Sequence, residues 1–125
     1  MLLYIQQTIT NKEIEMNEKI EKLEKLGGKF WEGGSHKRVY FNADSILRNS
    51  GLEVNRYESG NISSATYKGK KISNSWAKEI INKIQYGKLY YDINTDKIMQ
   101  AGNFRDISEE IINDFVKKIR ESLAL

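Results

Sequence analysis

Three stretches of this 125-residue sequence concentrate side chains that can do chemistry on an anionic or aromatic ligand. Ile72-Ser73-Asn74-Ser75-Trp76 reads as a helix opening on three polar residues, just after Lys68, Lys70 and Lys71 on a tight turn. A helix start offers unpaired N–H groups and the positive end of the dipole, so it suits a phosphate; Ser and Asn there serve equally as plain caps. Gly27 to Arg38 holds four glycines, Phe30, Trp31, His36, Lys37 and Arg38. Glycines let the backbone approach a ligand, Trp31 offers a stacking face, and Arg38 offers a rigid five-donor fork. The competing reading makes Phe30 and Trp31 core anchors beneath a flexible loop. Asn61 to Tyr67 carries hydroxyls at Ser63, Ser64 and Thr66, suited to ribose and phosphate oxygens or to the wet face of an ordinary strand.

The same inventory argues against catalysis. The chain has no cysteine, which excludes thiol nucleophiles, thiolate metal sites and disulfides, and its single histidine, His36, excludes a histidine-clustered zinc site. No serine sits in a nucleophile elbow. The glycine-rich stretch lacks the Lys-Ser/Thr ending of a phosphate-binding Walker loop, and no cofactor motif is present. Glu32 and Asp92 form no recognisable acid–base pair, and most other carboxylates fall beside lysines on helix faces. The expectation is a binding protein, not an enzyme.

The elements that must position these residues follow from periodicity. Thr10 or Asn11 caps a first helix reaching about Leu26, with Met16, Ile20 and Leu23 on one face and Gly27-Gly28 as its stop. So narrow a stripe suits a partner helix, making this segment a dimerisation element, or suits docking on its own domain. Lys29 to Arg38 reads as an ordered loop and Val39-Tyr40-Phe41 as a short strand. Asn42 caps a brief helix ended by Gly51. Leu52–Tyr57 and Ile62–Tyr67 read as strands, joined by Ser59-Gly60-Asn61 and followed by a turn at Lys68-Gly69-Lys70. A helix from about Ser75 to Gln85 places Trp76, Ile80, Ile81 and Ile84 inward, and Gly87 ends it. Leu89–Ile93 and Lys97–Met99 form a hairpin around Asn94-Thr95-Asp96, in which Tyr90 and Tyr91 face opposite ways. The last helix starts at Asp106, three residues before Glu109 in capping-box spacing, and buries Ile107, Ile111, Phe115 and Ile119. The predicted class is α+β: a small sheet of short, mostly antiparallel strands with N-terminal, central and C-terminal helices.

Length and composition fit one ligand-binding domain, residues 1–125, able to bury roughly two-thirds of its unfolded surface. No apolar run is long enough for a membrane span, and Gln6-Gln7 interrupts the apolar start too early for a signal peptide, so a cytoplasmic protein is expected. Charge is unevenly placed. Residues 1–35 carry 5 lysines against 6 acids, residues 36–72 carry 7 basic residues against 3 acids, and residues 73–125 carry 8 of each. A central basic excess favours an anionic partner, while a net of +4 there is small for a duplex DNA binder.

Gly27-Gly28-Lys29-Phe30-Trp31, Arg38-Val39-Tyr40-Phe41-Asn42, Gly60-Asn61-Ile62-Ser63-Ser64-Ala65-Thr66, Ile72-Ser73-Asn74-Ser75 and Lys88-Leu89-Tyr90-Tyr91-Asp92 occur in this order. Together they resemble the phage anti-Thoeris sponges, small proteins that capture cyclic ADP-ribose signals made by bacterial defence enzymes. The resemblance runs from about Leu26 to Ile93, and its order and combination carry it. It implies a non-catalytic homodimer or higher homo-oligomer in the infected host's cytoplasm. Such a protein would hold a cyclic ADP-ribose isomer intact, with cyclic oligonucleotides at a second site in some members. On chemical grounds Trp31 would stack on the adenine, and Arg38, Lys71 and Lys78 would meet the diphosphate. Tyr40, Thr66, Ser73 and Asn74 would bond ribose hydroxyls, and Arg56 is the second-site candidate. Two readings of other classes compete: a small basic nucleic-acid-binding regulator, and a protein–protein inhibitor of a bacterial immune complex using the first helix.

Overall fold

The computed structural model describes residues 11–124. The readings of Met1–Ile5, Gln6-Gln7 and the Thr10 cap lie outside them. Helix α1 (Asn11–Lys25) leads into strands β1 (Gly28–Gly33) and β2 (His36–Phe41) and the short helix α2 (Ala43–Arg48). Strands β3 (Leu52–Arg56), β4 (Ile62–Tyr67) and β5 (Lys70–Ile72) precede helix α3 (Asn74–Tyr86). The chain closes with β6 (Lys88–Asp92), β7 (Lys97–Ala101) and helix α4 (Ile107–Ser122). The strands form two antiparallel sheets, ordered β1-β2-β6-β7 and β3-β4-β5. The fold is α+β with helices at the start, centre and end of the described chain, as the periodicity predicts.

One cluster of buried side chains joins the layers. Val39, Phe41, Leu89 and Tyr91 point from the larger sheet toward Ile80 and Ile84 of α3 and Ile111, Phe115 and Ile119 of α4. Phe41 meets Phe115 at 5.2 Å between ring centroids, near edge-on, the geometry that ring quadrupoles favour. Helix α1 contributes Leu23, fully buried, with Ile20 packed against the same cluster, so these two residues of its stripe dock on their own chain, while Met16 is half-buried outside that cluster. Gly27 stops α1 at φ +93, and a side chain there would collide with Ser45 of α2. Asn42 caps α2 by accepting a hydrogen bond from the Ser45 amide at 2.8 Å.

Three expectations are corrected. Residues Lys29 to Arg38 form a hairpin rather than a loop: β1 and β2 pair from Gly28↔Phe41 to Gly33↔His36, leaving Gly34-Ser35 as the connection. Gly34 sits at φ +59, which a two-residue hairpin turn of this kind asks of its first residue. Trp76 does not join the inward face of α3 but is 42% exposed in the first turn of that helix. Asp106 makes no side-chain cap to α4 and takes φ +53. Ser108 organises that end instead: its hydroxyl accepts from the Arg105 amide at 2.8 Å and donates to the Arg105 carbonyl at 2.7 Å.

The smaller sheet is tied to α4 by charge. The β4–β5 turn places Lys68 at φ +51, an uncommon backbone for a residue with a side chain. Its ammonium reaches Glu110 at 2.5 Å and Asp114 at 3.8 Å. The hydrogen bond from Lys68 holds the Glu110 carboxyl below the ordinary glutamate value. A carboxylate depressed in the folded state contributes stability above its unfolded pKa and loses it as pH falls through the folded one. The melting temperature should therefore drop below about pH 4.5 more steeply in the wild-type chain than in Glu110→Gln. Parallel acid limbs for the two proteins in a thermal-melt pH series would show that the pair contributes nothing.

Candidate ligand-binding face

Strand alternation divides the larger sheet into two unlike faces. Val39, Phe41, Leu89 and Tyr91 fill the face packed on the helices. The opposite face carries two cross-strand rows set by the register: Lys29–Tyr40–Tyr90–Met99 and Trp31–Arg38–Asp92–Lys97. Trp31 is 45% and Met99 41% exposed, and Tyr40 and Tyr90 are half-buried. Tyr91, one residue along from Tyr90, is fully buried, so the two tyrosines divide between core and open surface as their alternation predicts.

The rings form a connected platform. Trp31 approaches Tyr40 edge-on at 6.1 Å, and Tyr40 leans on Tyr90 at 5.0 Å. Arg38 lies over this platform with its guanidinium carbon 4.7 Å from the Tyr90 ring centre. It donates to the Tyr40 hydroxyl at 3.0 Å, and that bond is the main reason its pKa is held above the usual arginine value. Asp92 stands 3.8 Å from the Arg38 Nε and is itself fixed by accepting from the amides of Asn94 and Thr95. His36 lies 3.5 Å from the other edge of the guanidinium. The surface thus carries three rings, a guanidinium over one of them, and lysines on the two edge strands. Bases stack on such rings for about 1–3 kcal/mol each.

The sequence-nominated residues occupy several places. Trp31, Arg38 and Tyr40 come together on the ring-bearing face. Thr66 and Lys71 are cross-strand neighbours on the smaller sheet, in a row with Glu53. Ser73 caps α3, accepting from the Trp76 amide at 3.1 Å. Asn74 is held down by donating to the Ile62 and Ser63 carbonyls at 3.2 and 3.3 Å. Arg56 and Lys78 line a separate groove between the β3–β4 turn and α3. The residues nominated for one ligand are therefore divided among separate surfaces. The ring face alone unites an aromatic ring, a cation and a hydroxyl from the nominated set.

Sequence reasoning passed over Lys29, Asp92, Lys97 and Met99 as members of the site. The signal was present: once Gly34-Ser35 is read as a two-residue turn, parity puts Lys29 and Trp31 with Arg38 and Tyr40. Glu32 falls on the other side of the strand, 3.9 Å from Lys37 and not beside Asp92. Among the described residues no group of three or more His, Asp or Glu side chains is placed to hold a metal ion, and no helix is long and apolar enough to cross a membrane. Comparisons with protein-family models, curated proteins and solved structures returned no match to this chain.

Exposure decides between ring platform and core anchor. Removing Trp31 should cost about 1 kcal/mol or less, the size of one exposed ring contact. Phe115→Ala, in the core, should cost about 3–5 kcal/mol. Urea unfolding of the two variants separates the roles, and a comparable loss in Trp31→Ala would return that ring to the core.

Proposed function

We propose that the protein is a non-catalytic nucleotide-binding protein that captures a cyclic ADP-ribose isomer on the open face of its larger sheet, withholding that signal from a Thoeris-type defence. The observation that carries this reading is Arg38 lying on Tyr90 in line with Tyr40 and Trp31. A purine can stack on the rings or on the guanidinium plane. Lys29 and Lys97 form no ion pair among the described residues and stand at opposite ends of the rows, where a diphosphate can reach one of them. The sequence resemblance supplies the identity of the ligand; the ring and cation chemistry supports its class. As a sequestering protein it acts by mass action, so its dissociation constant must lie below that of the effector it starves.

The same face supports a second reading, single-stranded nucleic acid. Rings on three of the four strands, with lysines on the two edge strands, make a platform on which successive bases could stack. Strong salt dependence would mark that mode, since each phosphate contact releases counterions.

Calorimetry against a panel of cyclic ADP-ribose isomers should give one saturable event. Brief heating should return the nucleotide unchanged. Trp31→Ala and Tyr90→Ala should each weaken binding about 5- to 100-fold, the equivalent of one lost stack. Recovery of a cleaved nucleotide would make the protein an enzyme. Undiminished affinity in both variants would remove the sheet face from the site, and tighter, steeply salt-sensitive binding of oligonucleotides would favour the second reading.

A further inference from the structure

A second surface stands apart from the ring platform. The β3–β4 connection and α3 enclose a groove of about 260 Å³ that Arg56 and Lys78 both line. Three carboxamides, Asn61, Asn82 and Gln85, share its walls, and no carboxylate does. None of the ring-face residues lines it.

The two cations line one groove, and neither is neutralised by an ion pair among the described residues. Arg56 ends β3 at a register irregularity and is steadied by donating from Nη1 to the Gly60 carbonyl at 2.8 Å. That bond uses one edge of the guanidinium and leaves its remaining N–H groups for another acceptor. The turn beneath it is closed by the Gly60 amide donating to Tyr57 and the Tyr57 amide donating to Asn61, both at 2.9 Å. Neither Arg56 nor Lys78 forms an ion pair among the described residues. The nearby acid on α3, Glu79, is engaged by Lys83 at 3.1 Å. A net charge of +2 therefore lines a small space whose other polar walls are neutral amides.

We infer that this groove is a binding site for the terminal phosphate of a small phosphorylated sugar or nucleoside, a phosphate monoester. The charge selects the class: a monoester carries about −1.5 to −2 at neutral pH and matches two cations, whereas a diester carries a single charge. Arginine supplies two parallel donors to the phosphate oxygens and lysine a point charge. The carboxamides, each both donor and acceptor, suit the hydroxyls of an attached sugar. The groove's size suits one phosphate with a small substituent rather than a macrocycle. This inference assigns Arg56 to a monoester in place of the cyclic oligonucleotide expected from the sequence. It does not depend on the ring platform.

The test is an NMR titration of the full chain with ribose 5-phosphate, and with dimethyl phosphate as the singly charged diester. Ribose 5-phosphate should shift the amides of Gly60, Asn61 and Asn82 saturably. Arg56→Gln and Lys78→Gln, both at exposed positions, should each weaken binding about tenfold or more, as expected for one charge-assisted contact. Trp31→Ala should leave this binding unchanged even if it abolishes capture of cyclic nucleotides, so the two sites succeed or fail separately. An equal response to dimethyl phosphate overturns the assignment to a monoester. Absent or unsaturable shifts with ribose 5-phosphate, or undiminished binding in the well-folded double variant, overturn the site.

Discussion

Pairing between the two central strands, β2 and β6, is the constraint on which the ring-bearing face depends. Val39 sits opposite Tyr91, and both are fully buried against the helices. Because side chains alternate with period two, fixing that pair fixes its neighbours on the other side: Tyr40 with Tyr90 and Arg38 with Asp92. A slip of one residue would drive a guanidinium toward the core and two apolar side chains into water, so the cost of burying an unpaired charge protects the register. The platform of rings is thus a consequence of core packing on the reverse side. The two arrangements cannot be changed independently.

Much of this architecture was legible because local chemistry and global packing agree. Leu23, Ile84, Ile111 and Phe115 announce their helices by spacing, and Gly27, Asn42 and Gly87 mark helix ends with residues suited to them. The β1–β2 hairpin was obscured because its glycines read as loop, although Gly34-Ser35 is itself a two-residue turn signal. Trp76 misled for a different reason. Its spacing fits the buried stripe of α3, but it lies in the first turn, where 42% of it stays exposed. At α4 the capping-box spacing was present, yet Ser108 closes the turn through Arg105, and Asp106 contributes its backbone carbonyl, accepting from the Glu110 amide, but no side-chain cap.

The candidate site was less legible, since composition counts charges without saying which are already engaged. The basic excess of residues 36–72 is real, but its members have separate tasks. Lys68 clamps the smaller sheet to Glu110 and Asp114, and Arg38 is laid on Tyr90 and bonded to Tyr40. Arg56 lines a groove with Lys78, which comes from another part of the sequence. Hydroxyl and amide groups nominated as ligand contacts at Ser73 and Asn74 make local bonds that hold the start of α3. The aromatic residues were the better guide. An exposed ring on a sheet whose other face is packed has little structural need to be there, and Trp31 sits in such a position, on the same face as the half-buried Tyr90.

Tryptophan emission reads the ring platform directly. In a Trp76→Phe background Trp31 is the sole tryptophan, because the chain has two. Titration with a cyclic ADP-ribose isomer should quench that emission saturably, with one nucleotide bound per ring platform. Emission that stays constant while calorimetry records binding would contradict capture on this face and place the nucleotide elsewhere on the molecule.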